Sequence, residues 1–261
     1  MPFAAFDLTG KTALITGGNR GIGFGIAKGL AQAGARVVIW GTDPARTEAA
    51  GEELKAIGPA VLTQLADVSD DERVRRAVDE AVEWAGGRID TFVANAVAGP
   101  TTGALAEFPM DDYRKLMAVN LDGFYWTVKH ACRHVAARAK AGAPGASLIG
   151  IGSLAGTQGA ARNSVYAATK SAVPAVMNSI ATEYARFGVR ANTIVPGWIA
   201  TDRTAERRAD PAYSERVLPR IPARRWGEPE DFAGIAVYLA SDASAYHTGD
   251  TIVIDGGYQV F

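Results

Sequence analysis

The sequence predicts an α/β fold: one doubly wound domain over residues 1–261, with seven parallel strands and helices on both faces of the sheet. Three observations predict it. Short apolar segments alternate with helix-length segments, and strands separated by helices form parallel sheets covered on both faces. No linker rich in Pro, Gly and Ser divides the chain. The first strand-like segment ends in a glycine-rich turn that opens a helix-like segment.

Each element is marked by its residue pattern. The strand-like segments are short, apolar and bounded by turn residues; they are residues 12–16, 36–40, 60–66, 89–94, 147–152, 189–195 and 250–255. The helix-like segments have helical periodicity and capping residues; they are residues 21–35, 44–58, 69–86, about 111–140, 164–187 and 229–241. Pro44 suits a first helical turn, and residues 69–71 (Ser-Asp-Asp) supply a cap. Residues 202–228 are irregular and rich in Arg and Pro; we expect a functional loop, such as a substrate lid.

The composition excludes several classes of protein. Lys and Arg number 27 against 28 Asp and Glu, so neither nucleic acid nor an anionic membrane is expected as a partner. The single cysteine, Cys132, excludes an intrachain disulfide and suits a reducing compartment. One cysteine and three histidines are too few for a structural zinc site. With no signal-peptide start and no apolar run that could span a bilayer, we expect a cytoplasmic protein without metal or membrane partners.

The glycine-rich turn TGGNRGIG, residues 16–23, indicates a dinucleotide site. Gly17, Gly21 and Gly23 allow a tight turn and a close approach of the backbone to a ligand. The helix that follows presents free N–H groups and its positive end to a phosphate. Glycines also end strands where no ligand binds, but this turn stands between a strand and a helix, as the motif requires.

Further motifs give the chain its resemblance to a family. It resembles the short-chain dehydrogenases/reductases in their compact single-domain form, over essentially its whole length. The motifs follow the family's order and approximate intervals: TGGNRGIG at 16–23, ADV at 66–68, Asn95 in ANAV, Asn120 in MAVN, Ser153 in IGS, Tyr166 and Lys170 in YAATK, PGWIAT at 196–201 and TGDTIVIDGG at 248–257. The resemblance implies a Rossmann-type domain, an NAD(P)-dependent oxidoreductase acting on CH–OH or C=O groups, and a homotetramer.

Two tyrosines stand four residues before a lysine, and spacing separates them. Residues four apart share one face of a helix, so either pair could converge on a ligand. Ser153, which precedes Tyr166 by 13 residues, directly follows a predicted strand, at the carboxyl end where doubly wound sheets bind ligands. The residue 13 before Tyr125 lies inside a predicted helix. The family's serine–tyrosine spacing therefore selects Tyr166 and Lys170, and leaves Tyr125 and Lys129 as packing or surface residues.

The resemblance implies a role for each catalytic residue. Hydride transfer to a carbonyl leaves negative charge on oxygen, which needs a proton and a hydrogen-bond donor. Tyr166 would supply the proton, and Ser153 would polarise the substrate oxygen. The Lys170 ammonium would favour the phenolate of Tyr166 and hold the nicotinamide ribose. Asn120 would order a water that leads from Lys170 to solvent.

The resemblance also implies a set of cofactor contacts: Gly17, Asn19, Arg20, Gly21, Ile22, Gly23, Thr42, Asp67, Val68, Asn95, Tyr166, Lys170, Ile199 and Thr201. For Asp67, helix capping is a competing interpretation. The choice between NAD and NADP stays open, because Gly41 and Thr42 stand where the family's acid and arginine would be. Arg20 could meet a 2′-phosphate and Asp43 could accept ribose hydroxyls; the sequence favours NADP slightly.

The substrate stays open as well: a small carbonyl or alcohol of 3-oxoacyl, sugar or cyclic-ketone type. Seven arginines and four acids fall within residues 202–226. They form either a lid for an anionic substrate or a solvated surface, and the second is the more usual origin of such clusters. Trp198 is expected to line the pocket, which suits an apolar or ring substrate.

The sequence departs from the family pattern at two positions. Val97 replaces a glycine after the fourth strand, so the backbone there must shift or already have a negative φ. Pro174 lies inside the catalytic helix, where it predicts a kink.

Two alternative interpretations of the function exist. A regulatory dinucleotide-binding protein without turnover is one of them, since fold does not imply function. The other is the extended type of the family, which needs a larger carboxyl-terminal domain than this chain offers.

Overall fold

The fold is built on a seven-stranded sheet in which every neighbouring pair of strands is parallel. The computed structural model describes residues 4–99 and 102–261. The strands are β1 Thr12–Thr16, β2 Arg36–Gly41, β3 Val61–Leu65, β4 Thr91–Ala94, β5 Ala146–Ile151, β6 Val189–Pro196 and β7 Thr251–Ile254. Their order is β3-β2-β1-β4-β5-β6-β7, so the direction of winding reverses between β1 and β4. This confirms the predicted fold class.

Helices cover both faces of the sheet. They are α1 Gly21–Gln32, α2 Pro44–Lys55, α3 Asp71–Trp84, α4 Met110–Met117, α5 Gly123–Lys140, α6 Ser164–Tyr184, α7 Ala205–Ala209, α8 Pro211–Val217 and α9 Ala233–Ala240. Helix α6 continues through Pro174 to its end. Within the described residues, no helix combines the length and apolar character needed to cross a bilayer.

Alternation along the strands supplies two separate apolar cores. In β1, Leu14 packs into the core formed with α3, α5 and α6, whereas Ala13 and Ile15 pack into the core formed with α1, α2 and α9. Successive strand residues point to opposite faces, so one buried strand contributes to both cores. All five residues of β1 are buried. Burial of each large apolar side chain contributes roughly 1.5–3 kcal/mol, which makes the central strands a rigid base for the loops at their ends.

The predicted helix over about 111–140 is instead two α-helices joined by a single π turn, Ala118–Asp122. The π turn widens the helix by one residue and changes the direction of the side chains that follow. At its end Gly123 packs so closely on Val68 that an added Cβ would overlap the valine side chain. Asn120 lies in the π turn and is only 1% exposed.

Residues 202–228 contain more regular structure than their composition predicts. They include α7, α8 and short 3-10 turns at Asp202–Thr204 and Leu218–Arg220. Asp210 caps α8, since its Oδ1 accepts a hydrogen bond from the Ala212 N–H. Local capping thus organises a segment that lacks a strong apolar periodicity.

Candidate active site

One large cavity, about 1090 Å³ in volume, opens at the carboxyl ends of the central strands. This is where a doubly wound sheet binds ligands, at the point where its winding reverses. It is lined by fourteen of the residues singled out in the sequence: Gly17, Asn19, Arg20, Gly21, Ile22, Thr42, Asp67, Val68, Asn95, Ser153, Tyr166, Lys170, Ile199 and Thr201. Gly23 and Asn120, the other two, are not among the lining residues.

The glycine turn after β1 has the geometry of a phosphate site. Gly17 and Gly21 have positive φ angles of 61° and 52°, which favour glycine. No side chain caps α1, whereas Asp43 caps α2 and Asp70 caps α3. The positive end of α1 and its first N–H groups therefore face the cavity without an intramolecular anion. The residues present fit the pyrophosphate of a dinucleotide.

Gly23 and Asn95 support the glycine turn through close contacts with its backbone. The Asn95 side-chain amide donates hydrogen bonds to the carbonyl oxygens of Thr16 at 2.9 Å and Gly17 at 3.1 Å. A Cβ at Gly23 would overlap both the Asn95 amide and the Gly17 carbonyl. Gly23 is therefore required for packing within the turn, and Asn95 joins the end of β4 to the end of β1.

The end of β2 has no room for an acidic side chain at Gly41. The Asn19 amide donates a 2.9 Å hydrogen bond to the Thr47 hydroxyl, and a Cβ at Gly41 would overlap both groups. Asp43 does not line the cavity; its Oδ1 accepts a 3.0 Å hydrogen bond from the Arg46 N–H. Arg20, at the N-cap of α1, lines the cavity and is a charged residue of the glycine turn itself.

Tyr166 and Lys170 lie one turn apart on α6, and Ser153 follows the end of β5. All three line the cavity. The Ser153 hydroxyl oxygen accepts a 3.2 Å hydrogen bond from the Ala155 N–H, which leaves the hydroxyl proton free to bond a ligand oxygen. The arrangement brings two hydroxyl groups and one amine into the same cavity.

Lys170 is buried, and its Nζ donates a 2.7 Å hydrogen bond to the Ile151 carbonyl oxygen. Burial and, to a smaller extent, the positive charge of Arg203 together lower the pKa of Lys170 to about 7. Desolvation disfavours the charged amine. The amine can therefore gain or lose a proton near neutral pH.

Asn120 is buried and is not among the residues that line the cavity. Its Oδ1 accepts a 2.7 Å hydrogen bond from the Ala98 N–H, which holds the loop that follows β4. Among the described residues, its Nδ2 has no hydrogen-bond partner. The structure thus shows a loop-holding contact for Asn120 that the sequence does not predict, and the water-ordering role remains a prediction.

The second tyrosine–lysine pair lies on the surface, as the spacing predicts. Tyr125 is 49% exposed. Lys129 pairs with Asp71 at 2.8 Å and lies over the Trp126 ring, 4.6 Å from its centroid. Neither Tyr125 nor Lys129 lines the cavity.

Known proteins match the chain over almost its whole length. A family model described as enoyl-(acyl carrier protein) reductase matches residues 17–259. The chain is 38% identical over 259 residues to 2-dehydro-3-deoxy-D-gluconate 5-dehydrogenase of Escherichia coli (strain K12), which covers 99% of both chains. It is 38% identical over 257 residues to L-rhamnose 1-dehydrogenase (NAD(P)(+)) of Azotobacter vinelandii, covering 97% of this chain and 98% of the relative. The crystal structure of a gluconate 5-dehydrogenase from Burkholderia cenocepacia J2315, in complex with NADP and tartrate, superimposes with a TM-score of 0.90 at 36% identity and covers 98% of each chain.

The chain is a short-chain dehydrogenase/reductase. It is therefore an enzyme, an oxidoreductase that uses a nicotinamide cofactor and acts on carbonyl or alcohol groups. The alternative interpretation, a regulatory dinucleotide-binding protein without turnover, does not hold. The extended type is set aside too, because full-length relatives match this chain without a further domain.

This short-chain dehydrogenase/reductase has a cavity residue that the sequence did not single out for catalysis, Arg203. Its guanidinium carbon lies 5.2 Å from the centroid of the Tyr166 ring. Its Nη1 donates a 2.7 Å hydrogen bond to the Ala98 carbonyl oxygen, and burial lowers its pKa. One signal was present: Arg203 follows Thr201 by two residues, in a segment that the family resemblance places against the cofactor.

The neighbouring Asp202 makes a second connection across the rim of the cavity. Its Oδ2 lies 2.5 Å from Nη1 of Arg46 in α2. Asp202 lines the cavity, whereas Arg46 does not. The start of the 202–228 segment is thus held on one side by the loop after β4 and on the other by α2.

Three aromatic side chains form part of the cavity wall. Trp198 lines the enzyme's cavity, as predicted, together with Tyr213 and Tyr258. The ring centroid of Trp198 lies 5.8 Å from that of Tyr213 and 6.0 Å from that of Tyr258. The two tyrosines come from α8 and the carboxyl-terminal turn, so no local pattern marks them as neighbours.

The φ angles of two cavity residues, Val97 and Arg162, decide whether the backbone is strained there. Val97 does not have a positive φ, so its β-branched side chain is accommodated without strain. Arg162 has a φ of 61°, which is uncommon for a residue other than glycine. Its carbonyl oxygen accepts a 2.9 Å hydrogen bond from the Gly103 N–H, which supports this conformation.

Among the described residues, no cluster of three His, Cys, Asp or Glu side chains could hold a metal ion.

Proposed function

We propose that the enzyme interconverts a polyhydroxy ketone and its secondary alcohol, with NADP preferred over NAD and Tyr166 as the proton donor and acceptor. The observation that carries the proposal is the placement of Ser153, Tyr166 and Lys170 in the cavity that the glycine turn also lines. A hydride acceptor or donor bound at the turn would extend toward these three groups. Fold alone would not support the assignment.

The chemistry follows from what each group can do. The nicotinamide, when bound, supplies or accepts the hydride. Tyr166 donates a proton to the oxygen as negative charge develops on it, and takes the proton back in the oxidation direction. Ser153, whose proton is free, donates a hydrogen bond to the same oxygen. Lys170 as ammonium favours the phenolate of Tyr166 and would also bond ribose hydroxyls.

The preference for NADP rests on the charges at the end of β2. No side chain fits at Gly41, and Asp43 is engaged as the cap of α2. Neither residue is placed to bind the ribose hydroxyls of NAD. Arg20 lines the cavity beside the glycine turn and would attract a 2′-phosphate. The adenine would lie against Asp67 and Val68, and the carboxamide against Ile199 and Thr201.

The cavity walls suit a substrate that carries many hydroxyl groups. Trp198, Tyr213 and Tyr258 offer aromatic faces on which the C–H surface of a sugar packs. Gln158 and Asn163 also line the cavity and bring amide donors and acceptors. The relatives described above are named for a deoxygluconate, for rhamnose and for gluconate, which supports the same class.

The assembly and setting belong to the same proposal. We expect one catalytic domain in which residues 202–228 act as the substrate lid, and a homotetramer. Val260 is 89% exposed and Phe261 is 73% exposed, which suits burial against a second subunit. The only cysteine, Cys132, is buried and unpaired. A reducing cytoplasm would keep it so.

The test follows the absorbance of NADPH and NADH with a panel of carbonyl compounds. The panel contains neutral ketoses, keto sugar acids, a 3-oxoacyl thioester and a cyclic ketone. We expect turnover with the polyhydroxy compounds and faster turnover with NADPH. Turnover confined to the thioester or the cyclic ketone would refute the substrate class, and a preference for NADH would refute the cofactor choice.

A further inference from the structure

The end of the cavity near Tyr166 carries an excess of positive charge. Three arginines line the cavity: Arg162, which precedes α6, and Arg203 and Arg207, from the segment after β6. Of these, Arg203 lies over the Tyr166 ring, and the charge of Arg207 acts on Arg203. Among the described lining residues, the carboxylates are Asp67 and Asp202. Asp67 accepts hydrogen bonds from the N–H and hydroxyl of Ser69, and Asp202 pairs with Arg46. Neither acid is paired with one of these arginines.

Arg203 is the arginine closest to the reacting groups. A guanidinium has five N–H donors, but the Ala98 carbonyl oxygen is the one hydrogen-bond acceptor that Arg203 has among the described residues. Its other contact is the face of the Tyr166 ring. Burying a charge without a counter-ion is unfavourable, and the lowered pKa of Arg203 reflects that burial. Such an arginine is suited to receive an anion from the cavity.

We infer that Arg203 binds a carboxylate of the substrate, so that the enzyme acts on a polyhydroxy acid and its keto acid. This rests on the proposed function and narrows its substrate class. The planar guanidinium matches a carboxylate through two parallel hydrogen bonds. Because Arg203 lies against Tyr166, a carboxylate there would set the distance along the carbon chain to the carbon that is oxidised.

Arg207 supports the same site from the next helical turn. It lines the cavity, and its guanidinium carbon lies 5.9 Å from the centroid of the Tyr213 ring. Its charge adds to the field that draws an anion toward Tyr166. Arg208, the next residue, is exposed and does not line the cavity. It is therefore a matched control in the same segment.

The cofactor is the other source of an anion in this cavity. Its phosphates are expected at the glycine turn, beside Arg20. Arg203 contacts the tyrosine ring but is also close enough to Arg20 that, besides burial, the charge of Arg20 lowers its pKa. The two sources are distinguished by measuring the affinity for NADPH and for the substrate in the same variants. A variant of Arg203 should weaken binding of the acid and change NADPH binding little.

The experiment compares an acid with its neutral counterpart. D-gluconate and D-glucitol are both polyols, and they differ at C1 by a carboxylate against a hydroxyl. We expect Arg203→Met to lower the ratio of their kcat/KM values about 10- to 100-fold, the effect of losing a charge-assisted hydrogen bond. Arg203→Lys should keep part of the ratio, and Arg208→Met should keep all of it. Calorimetric binding of D-gluconate to the enzyme–NADP complex repeats the comparison without turnover.

The outcomes separate this inference from the proposed function. A ratio unchanged in Arg203→Met, with the polyols still turned over, overturns the inference alone. An equal gain in turnover of both polyols also overturns it, because Arg203 would then only obstruct the site. If weaker NADPH binding accounts for the whole change in the kcat/KM ratio, Arg203 binds the cofactor and the inference is overturned. Arg203-dependent binding of D-gluconate without turnover of any polyol supports the inference and refutes the proposed activity. Absence of D-gluconate binding to the wild-type complex overturns the inference, and it overturns the proposed activity only when no polyhydroxy compound is turned over.

Discussion

Lys170 Nζ donates a 2.7 Å hydrogen bond to the Ile151 carbonyl oxygen. The contact joins the catalytic helix to the carboxyl end of β5, where Ser153 follows two residues later. It holds the amine inside the protein, and this burial is the main reason why the pKa of Lys170 falls to about 7. The contact therefore fixes the amine in the buried position that, together with the charge of Arg203, lowers its pKa.

The first prediction concerns the pH dependence of reduction. Lys170 is an ammonium below about pH 7 and loses its proton as the pH rises through that value. Reduction needs the ammonium beside Tyr166, so kcat/KM for NADPH, which reports the free enzyme, should fall as the pH rises. Arg203→Met removes a positive neighbour, raises the pKa of Lys170 and should move the falling limb to higher pH.

The measurement uses a neutral ketose, so that loss of a carboxylate contact does not enter the profile. Arg208→Met is the control for loss of one charge in the same segment, and it should leave the limb in place. A limb that stays fixed in Arg203→Met, or moves to lower pH, would show that the titrating group is not coupled to Arg203.

The second prediction concerns the choice of cofactor. Thr42 lines the cavity at the end of β2, so Thr42→Asp would bring a carboxylate toward the 2′-phosphate. Repulsion between like charges should move the NADPH/NADH ratio of kcat/KM toward NADH by about 10-fold or more. Gly41→Asp is not an equivalent change, because its Cβ would overlap Asn19 and Thr47. We expect that variant to lose stability by roughly 1–3 kcal/mol, measured by urea unfolding.

Asn120→Ala tests the contact between the π turn and the loop after β4. The change removes the acceptor of the Ala98 N–H and leaves a partly buried donor unpaired. This should lower the free energy of unfolding by about 1–3 kcal/mol. Because the Ala98 carbonyl oxygen also binds Arg203, a looser loop should raise KM. A variant with unchanged stability and KM but a much lower kcat would instead favour the water-ordering role.

How far the sequence predicts this site depends on whether the relevant contact is local. The helical period and the ends of strands are local features. Together with the serine–tyrosine spacing implied by the family resemblance, they predicted that Ser153, Tyr166 and Lys170 share one cavity. The same reasoning placed the glycine turn between β1 and α1. These features follow from backbone geometry that any chain of this pattern must adopt.

The sequence did not predict contacts between segments that lie far apart along the chain. The exclusion of side chains at Gly41 depends on the hydrogen bond between Asn19 and Thr47. The partly buried Arg203 is held by the carbonyl oxygen of Ala98, which lies 105 residues earlier in the chain. Both arise from tertiary packing, for which residue patterns along the chain carry no signal.

The last prediction compares Tyr166→Phe with Tyr125→Phe, which remove the same atom from the two tyrosine–lysine pairs. Tyr166 lines the cavity beside Lys170, whereas Tyr125 is 49% exposed on α5. Tyr166→Phe keeps the ring and its contact with Arg203 but loses the proton donor, so kcat should fall by at least about 10²–10⁴-fold while NADPH binding is retained. Tyr125→Phe should leave kcat within a few-fold of wild type. Steady-state kinetics and NADPH fluorescence titration of both variants decide the matter, and near wild-type turnover in Tyr166→Phe, with Tyr125→Phe inactive, would place the active site elsewhere.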